Sequence, residues 1–533
     1  MNSISTVDSK NQVVLNKKNK RSFTQTKLYD SITNKWSLSF LIAITIPGWF
    51  FAYFLDSVIV ADISSAFASF LLISWFWSRI GRPVEMIRLG RLGAASLCTT
   101  QNIAWLLASY IHRTSGLSIR ETLGNSPIGR CQLTSYALAM CFISLFSLVL
   151  AFLSTNAKIN KLEKKLFNLL SEIRNINIQR IELIIFIVVI IEVALVASGI
   201  IGQRALVVEG LAKGEEPSWI PLYQSMLPVQ VLLNSLLIAK LSAPEKTAKS
   251  KRVWLIAIVS ILMITFLCFT RGRGSLIFSI VSHGYWFAFF TGKRPRILRL
   301  VIIIAVVYPI LSQILLFNNF VRSSDSGLSN FKGSVIEILP QALAKYESSS
   351  ALRAAASDKT TANLASRPLL AMPLAICMQF PRPQFSYGEN LRNSAIWAIP
   401  GPLFPNKKDY PVQEGLLYKY FPIGDVDVAD SIYLTSYTEF SWAGILIYPL
   451  LIYCLWNLVL TIIASVNLRG LFTVILFAVF FELYLLAISQ GAVTNWFLWL
   501  RTFLFWLVMA VLAKIIFPKT FYSLSKNKKQ LIS

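Results

Sequence analysis

Long runs of almost wholly apolar residues recur along this chain, and they constrain its fold more than any other feature. A helix rises 1.5 Å per residue, so about 20 residues cross the ~30 Å of hydrocarbon in a bilayer. Runs of that length lie near 37–55, 57–78, 93–111, 134–153, 181–200, 227–243, 253–270, 274–291, 300–318, 440–464, 470–489 and 495–516. The third carries a polar stretch, Thr99 to Asn102, and the sixth is short. The expected fold is all-α, a polytopic integral membrane bundle of about 12 transmembrane helices. Composition agrees. Of 533 residues 55% are hydrophobic and 14% charged, and mean hydropathy is +0.58. These values exclude a soluble globular enzyme, a disordered chain and a secreted disulfide scaffold.

Charge sets the expected orientation. The net charge is +25, from 51 Lys and Arg against 26 Asp and Glu. In a soluble protein this would suggest nucleic acid. Here no basic stretch is interleaved with aromatics as in such modules, so no nucleic-acid partner is expected. Cytoplasmic loops of membrane proteins are rich in Lys and Arg. If the N-terminus is cytoplasmic, most of the basic residues fall on the cytoplasmic side of the twelve segments. The expected location is a membrane, with both termini cytoplasmic. Residues 1–36 form a cytoplasmic tail rather than a cleaved signal peptide. Helices 1–9 occupy 37–318, a large outer loop occupies 319–431, helices 10–12 occupy 440–516, and 517–533 is a second cytoplasmic tail.

The loop 319–431 is expected to be ordered, as short helices on the outer face. It holds apolar and aromatic stretches such as Leu369–Phe380 and Trp397–Phe404, and its prolines and glycines are clustered. No internal repeat is visible. The chain is lopsided, unlike transporters built from paired inverted halves.

Six cysteines and two histidines are scattered. Metal sites need clusters of such ligands, so neither metal nor cofactor is expected. Cys98, Cys141, Cys268 and Cys454 fall in apolar runs as packing residues, and a Cys131–Cys377 bridge is conceivable. Asp425, Asp427 and Asp430 alternate but lack the ligand density of a calcium loop.

Four groups of residues are candidates for chemistry. Thr270-Arg271-Gly272-Arg273-Gly274 separates two apolar runs, at the outer surface in the expected topology. Two guanidinium groups there can hold a phosphate bidentately, or they can simply anchor helix ends. In the outer loop, Arg382 precedes Tyr387–Lys408, which contains Glu389, Arg392, Lys407 and Lys408 around Pro400, Pro402 and Pro405. Glu439 stands at the mouth of the tenth segment, where a carboxylate can act as a base or bind sugar hydroxyls. Glu482 and Arg501 lie at similar depth in the last two segments, roughly 10 Å below the outer surface. Either they form a structural ion pair or Arg501 faces a polar cavity. Glu192, Asn234 and His283 also fall inside apolar segments, where helix–helix hydrogen bonding is the expected role. His112 is expected at the interface.

Three of these pieces resemble the bacterial O-antigen and capsular polysaccharide polymerases (Wzy-type, oligosaccharide repeat-unit polymerases). They are the Arg-Gly hairpin at 271–274, the segment Gly388–Lys408, similar to a "G…IP…P.K" pattern, and Thr435–Gly444, similar to a "Y.E…G" pattern. Gly401 stands where an Arg often follows the Ile-Pro, and Lys408 replaces a second Pro. The resemblance implies polymerisation of undecaprenyl-pyrophosphate-linked repeat units at the outer face of a bacterial plasma (inner) membrane, with the loop 319–431 periplasmic. It implies a metal-independent glycosyltransferase whose main task is stabilising a pyrophosphate leaving group. Arg271, Arg273, Arg382, Arg392 and Lys407 would contact pyrophosphate, and Glu389 and Glu439 would be catalytic. The partners implied are the lipid-linked oligosaccharide, membrane lipids and a chain-length regulator. An O-antigen ligase would share donor and topology, but it would place a His in the outer loop, which has none. A lipid-linked glycan flippase or transporter is the other alternative.

Overall fold

The computed structural model describes residues 133–154, 178–198, 227–242, 251–271, 273–291, 335–351, 371–412, 414–421, 431–466, 475–481 and 493–516, with isolated positions elsewhere. The described residues form helices and turns, and no strand occurs among them. The expected segments at 37–55, 57–78, 93–111 and 300–318 lie outside the described residues apart from isolated positions. So do most of 470–489, His112 and the aspartates 425–430.

The long apolar helices are α1 (Leu133–Ser154), α2 (Ile178–Ala197), α3 (Leu227–Leu241), α4 (Lys251–Arg271) and α5 (Arg273–Thr291). Their bounds follow the apolar runs to within a few residues. Within 319–431 lie α6 (Val335–Ser348), α7 (Ala371–Gln379), α8 (Glu389–Ala398) and α9 (Glu414–Tyr420). It also has 3-10 turns at Gly401–Leu403 and Lys407–Asp409. Then come α10 (Ile432–Phe440), α11 (Gly444–Val466) and α12 (Val493–Ile516).

Two stretches among the described residues are long and apolar enough to cross a membrane, Ile432–Val466 and Trp496–Ile516. The first takes in α10, which lies ahead of the expected start at 440 and carries Glu439 near its end. It is also broken: Ser441 has φ 54, and the 3-10 turn Ser441–Ala443 separates α10 from α11. The 23 residues of α11 span about 35 Å by themselves.

Helices α2, α3, α4 and α5 pack together as one bundle. Arg252 of α4 pairs with Glu182 of α2 at 3.0 Å. Inside the bundle the Gln230 amide donates to Glu192 at 2.9 Å. Asn234 is fully buried, and neither its amide nitrogen nor its oxygen has a partner among the described residues. His283 Nδ1 lies 2.8 Å from the Ser279 carbonyl, one turn back on the same helix.

A second group is built on aromatic contacts. The rings of Phe142 and Phe146 on α1 meet Tyr437 and Tyr433 on α10 edge-on, at 5.7 and 5.1 Å. The helical residues 475–481 form a hub. Tyr285 of α5 stacks on Phe481 at 4.3 Å, Trp456 of α11 packs on Phe480 at 5.0 Å, and Phe480 meets Phe503 of α12. Tyr448 near the start of α11 touches Trp496 near the start of α12. Lys514 near the end of α12 donates to the Val466 carbonyl at the end of α11. Helices α11 and α12 therefore run parallel.

Candidate functional site

Helix α8 organises the site, and its ends are held by residues distant in sequence. Gly388 precedes it with φ 87 and Tyr387 with φ 45, so the chain turns through left-handed backbone before the first turn. Glycine adopts that conformation without strain, whereas tyrosine does so at a cost. The helix has no side-chain cap from its own N-cap residue. The cap comes from Glu439 instead. Its Oε1 accepts the Leu391 N–H at 3.1 Å, and the Asn390 N–H is directed to the same carboxylate. A carboxylate at a helix N-terminus satisfies unpaired N–H groups and complements the dipole. The other oxygen of Glu439 accepts the Tyr448 hydroxyl. Glu439 is 1% exposed.

The segment before α8 also closes the end of α10. Ser386 N–H donates to the Thr438 carbonyl at 3.1 Å, and Tyr387 N–H to the Glu439 carbonyl at 3.0 Å. These are carbonyls that a helix end leaves unpaired. Helix α10 begins at Ser431, whose hydroxyl accepts the Leu434 N–H at 3.1 Å. At its other end the chain must turn hard into α11. A Cβ on Gly444 would lie 2.3 Å from the Ser436 carbonyl oxygen and 2.4 Å from its hydroxyl, so no other residue fits.

The C-terminus of α8 collects cations. Pro400 follows Ile399 and ends the helix. Lys407 Nζ donates to the Trp397 carbonyl at 2.8 Å, and Arg501 of α12 donates to the Ala398 carbonyl at 3.3 Å. Both cations complement the negative helix end. Burial, and then the nearby Arg501 charge, lower the Lys407 pKa. The loop folds back along α8 through Trp397 Nε1–H to the Tyr410 carbonyl at 2.8 Å and Asn393 Nδ2–H to the Pro411 carbonyl at 2.7 Å. Helix α8 packs on α12. Arg501 is eight residues beyond Val493, so the contact is about 12 Å along α12.

On the exposed side Glu389 gathers its own cluster. It pairs with Lys419 at 3.2 Å and with Arg392 at 3.7 Å, and it accepts the Tyr420 hydroxyl. The Tyr420 hydroxyl is the largest cause of a Glu389 pKa below the usual glutamate range, and the two cations add to it. Between this cluster and Glu439 lies a small cleft whose cavity volume, about 20 Å³, is room for a water molecule. Its polar lining is Ser386, Asn390, Tyr420, Thr435, Thr438 and Glu439, over an apolar floor of leucines and Phe421.

The structure thus brings Glu389, Arg392, Lys407, Glu439 and Arg501 around one short helix. Arg382 lies just upstream, exposed, with no hydrogen bond or ion pair among the described residues. Arg271 ends α4 and Arg273 begins α5, so Gly272 alone separates the two helices, and these pack on one another. The side chains of both arginines lie outside the described residues, as does Glu482. The described partner of Arg501 is the Ala398 carbonyl. Cys377 is a free, buried thiol, so the conceivable bridge to Cys131 is not formed. Lys419, Tyr420, Asn390 and Tyr448 were not singled out from the sequence. Ordinary spacing carries no sign of them, because their partners are brought in by the tertiary fold. No protein-family model, curated protein or solved structure matches this chain.

Proposed function

We propose that this protein polymerises lipid-linked oligosaccharide repeat units at the outer face of a bacterial plasma membrane. In this reading about twelve helices cross the bilayer, both termini are cytoplasmic, and 319–431 is a periplasmic loop seated on the last helices. The observation that carries the proposal is α8. It displays Arg392, with Lys407 and Arg501 at its end, beside apolar α12 and next to a polar cleft. Such a place suits a substrate with a membrane-held phosphate at one end and sugars at the other.

The donor is the growing glycan on undecaprenyl pyrophosphate, and the acceptor is a single lipid-linked unit. The acceptor hydroxyl oxygen bonds to the donor's anomeric carbon. The bond from that carbon to pyrophosphate breaks, and its electron pair leaves with the lipid pyrophosphate. Arg382, Arg392 and Lys407, with Arg271 and Arg273 from the α4–α5 turn, receive the developing charge without needing a metal. The acceptor proton passes to Glu389, whose side chain is 18% exposed. Its low pKa makes it a weak base, which suits proton transfer late in the reaction, from an oxygen already bonding to carbon. Glu439 positions α8 rather than reacting, since both its oxygens are engaged.

The test is the length distribution of surface glycan in a host lacking this gene, against the complemented strain. Collapse of a ladder to core plus one unit is the expected result, with Arg271→Lys failing to restore the ladder at wild-type protein levels. Outward-facing lipid-linked chains without capped glycan would indicate a ligase, and inward-facing ones a flippase. An unchanged ladder would also overturn the proposal.

A further inference from the structure

Helix α8 is inclined along α12, and the chain after it doubles back. Its N-terminal end is capped by Glu439, whose other oxygen holds Tyr448, and the Tyr448 ring meets Trp496 at 5.8 Å. Its C-terminal end meets Arg501. Trp496 opens the stretch of α12 that is long and apolar enough to cross a membrane. Arg501 is five residues further in, which is about 7.5 Å along the helix. The return limb lies antiparallel to α8, since Trp397 bonds to Tyr410 and Asn393 to Pro411. Residues 389–411 thus form a hairpin, and its tip, 399–405, is the end furthest along α12.

The tip has the chemistry of a segment that meets lipid. Ile399 is 37% and Leu403 75% exposed, and Pro400, Gly401 and Pro405 are exposed beside them. Pro400, Pro402 and Pro405 have no N–H to satisfy. The N–H groups of Ile399, Leu403 and Phe404 donate within the hairpin, to the Ile396, Pro400 and Gly401 carbonyls. Lys407 and Arg501 cover the last carbonyls of α8. The exposed polar side chains of Asn406, Lys408 and Asp409 begin only on the return limb. Further along α12, Leu504, Phe505, Val508 and Met509 are exposed and apolar in their turn.

We infer that 399–404 is inserted into the membrane interface, as the tip of a re-entrant hairpin. Its partner is the phospholipid surface. Interfacial segments sink about 5–10 Å into the boundary between headgroups and acyl chains, and the step from Trp496 to Arg501 matches that depth. The tip stops at this boundary, because irregular backbone facing lipid does not occur within the hydrocarbon. Asn406, Lys408 and Asp409 then return to the headgroups. The inference rests on α12 crossing a membrane, as in the function proposed above, and not on the polymerase chemistry.

The experiment uses full-length wild-type protein in nanodiscs of palmitoyl-oleoyl phosphatidylcholine, part of which carries a diazirine near the top of its acyl chain. After irradiation, peptide mass spectrometry locates the lipid adducts. They are expected at 399–404 and on the exposed residues of α12, and not at 406–409. In a second measurement Leu403→Cys and Asp409→Cys meet a charged, water-soluble maleimide, read at each position by mass spectrometry so that the native cysteines do not interfere. Two exposed positions in water would react alike. Insertion disfavours the reactive thiolate and excludes the reagent, so Leu403→Cys should react roughly tenfold more slowly or less. Adducts on α12 with none at 399–404 would overturn the insertion and leave α12 as a span, and equal maleimide rates would do the same. Adducts absent from α12 as well would remove the spanning reading and the insertion with it. Adducts at 399–404 beside an unchanged glycan ladder would keep the hairpin and remove the polymerase reading.

Discussion

Substituting Gly444 by alanine tests whether the α10–α11 junction sets up the site. The added Cβ would stand 2.3 Å from the Ser436 carbonyl oxygen and 2.8 Å from its carbonyl carbon. Ordinary contact begins near 3.4 Å, so the two helices must separate by about 1.1 Å at this point. The obstruction is helix backbone, which cannot rotate away as a side chain can. Overpacking of this kind costs about 1–3 kcal/mol and occasionally more; rigid backbone puts Gly444→Ala near 3 kcal/mol. Glu439 lies between Ser436 and Gly444, so the displacement passes to the carboxylate that caps α8. Hydrogen exchange of the full-length protein in nanodiscs reads this locally. The amides of Ser386, Tyr387 and Leu391 all donate to Thr438 or Glu439. Loss of about 3 kcal/mol should accelerate their exchange roughly 150-fold. Gly401→Ala is the control, since a Cβ there meets nothing within 4 Å. Unchanged protection at those three amides in Gly444→Ala would refute the reasoning.

The remaining predictions concern the two carboxylates. The folded pKa of Glu389 is lowered, so its contribution to stability is present above the unfolded value and is lost as pH falls through the folded one. The difference in melting temperature between wild type and Glu389→Gln should persist from pH 8 down to the ordinary glutamate range and close only below it; closure already near pH 6 would contradict the assignment. Tyr448→Phe removes the hydroxyl donor to Glu439 and should cost about 1.5–3 kcal/mol, as for a hydrogen bond to a charged group. Its exchange signature should appear at Leu391, and equal acceleration across α12 would instead indicate general loosening.

Much of the helical framework is legible because the long apolar helices coincide with long unbroken apolar runs. The runs at 134–153 and 253–270 needed only length to place α1 and α4. Helix α10, ahead of the run at 440–464, is hidden for a specific reason. Thr435, Ser436 and Thr438 dilute the apolar run, although Ser431 is an N-cap residue that marks the true start. Within 319–431, Glu389 and Arg392 share a helix face at i and i+3, which sequence spacing conveys. The cap that Glu439 places on α8 spans 48 residues, and the bond from Arg501 to Ala398 spans 103. Neither distance leaves a local trace. Gly444 is legible only as a glycine; the Ser436 backbone that requires it appears once two helices are folded together.

The bond from Arg501 to Ala398 also bears on the order of events during synthesis. Residues 389–421 leave the ribosome well before Glu439, and Arg501 follows about a hundred residues behind Ala398. At about 5–20 residues per second, α8 waits several seconds or more for its N-terminal cap and longer for the bond from Arg501. Lys407, only ten residues beyond Trp397, is available much sooner for the C-terminal end. Helix α8 is thus joined to α12 only after the last apolar helix has been made, so a nascent chain stopped before residue 501 carries α8 without the Arg501 bond to Ala398.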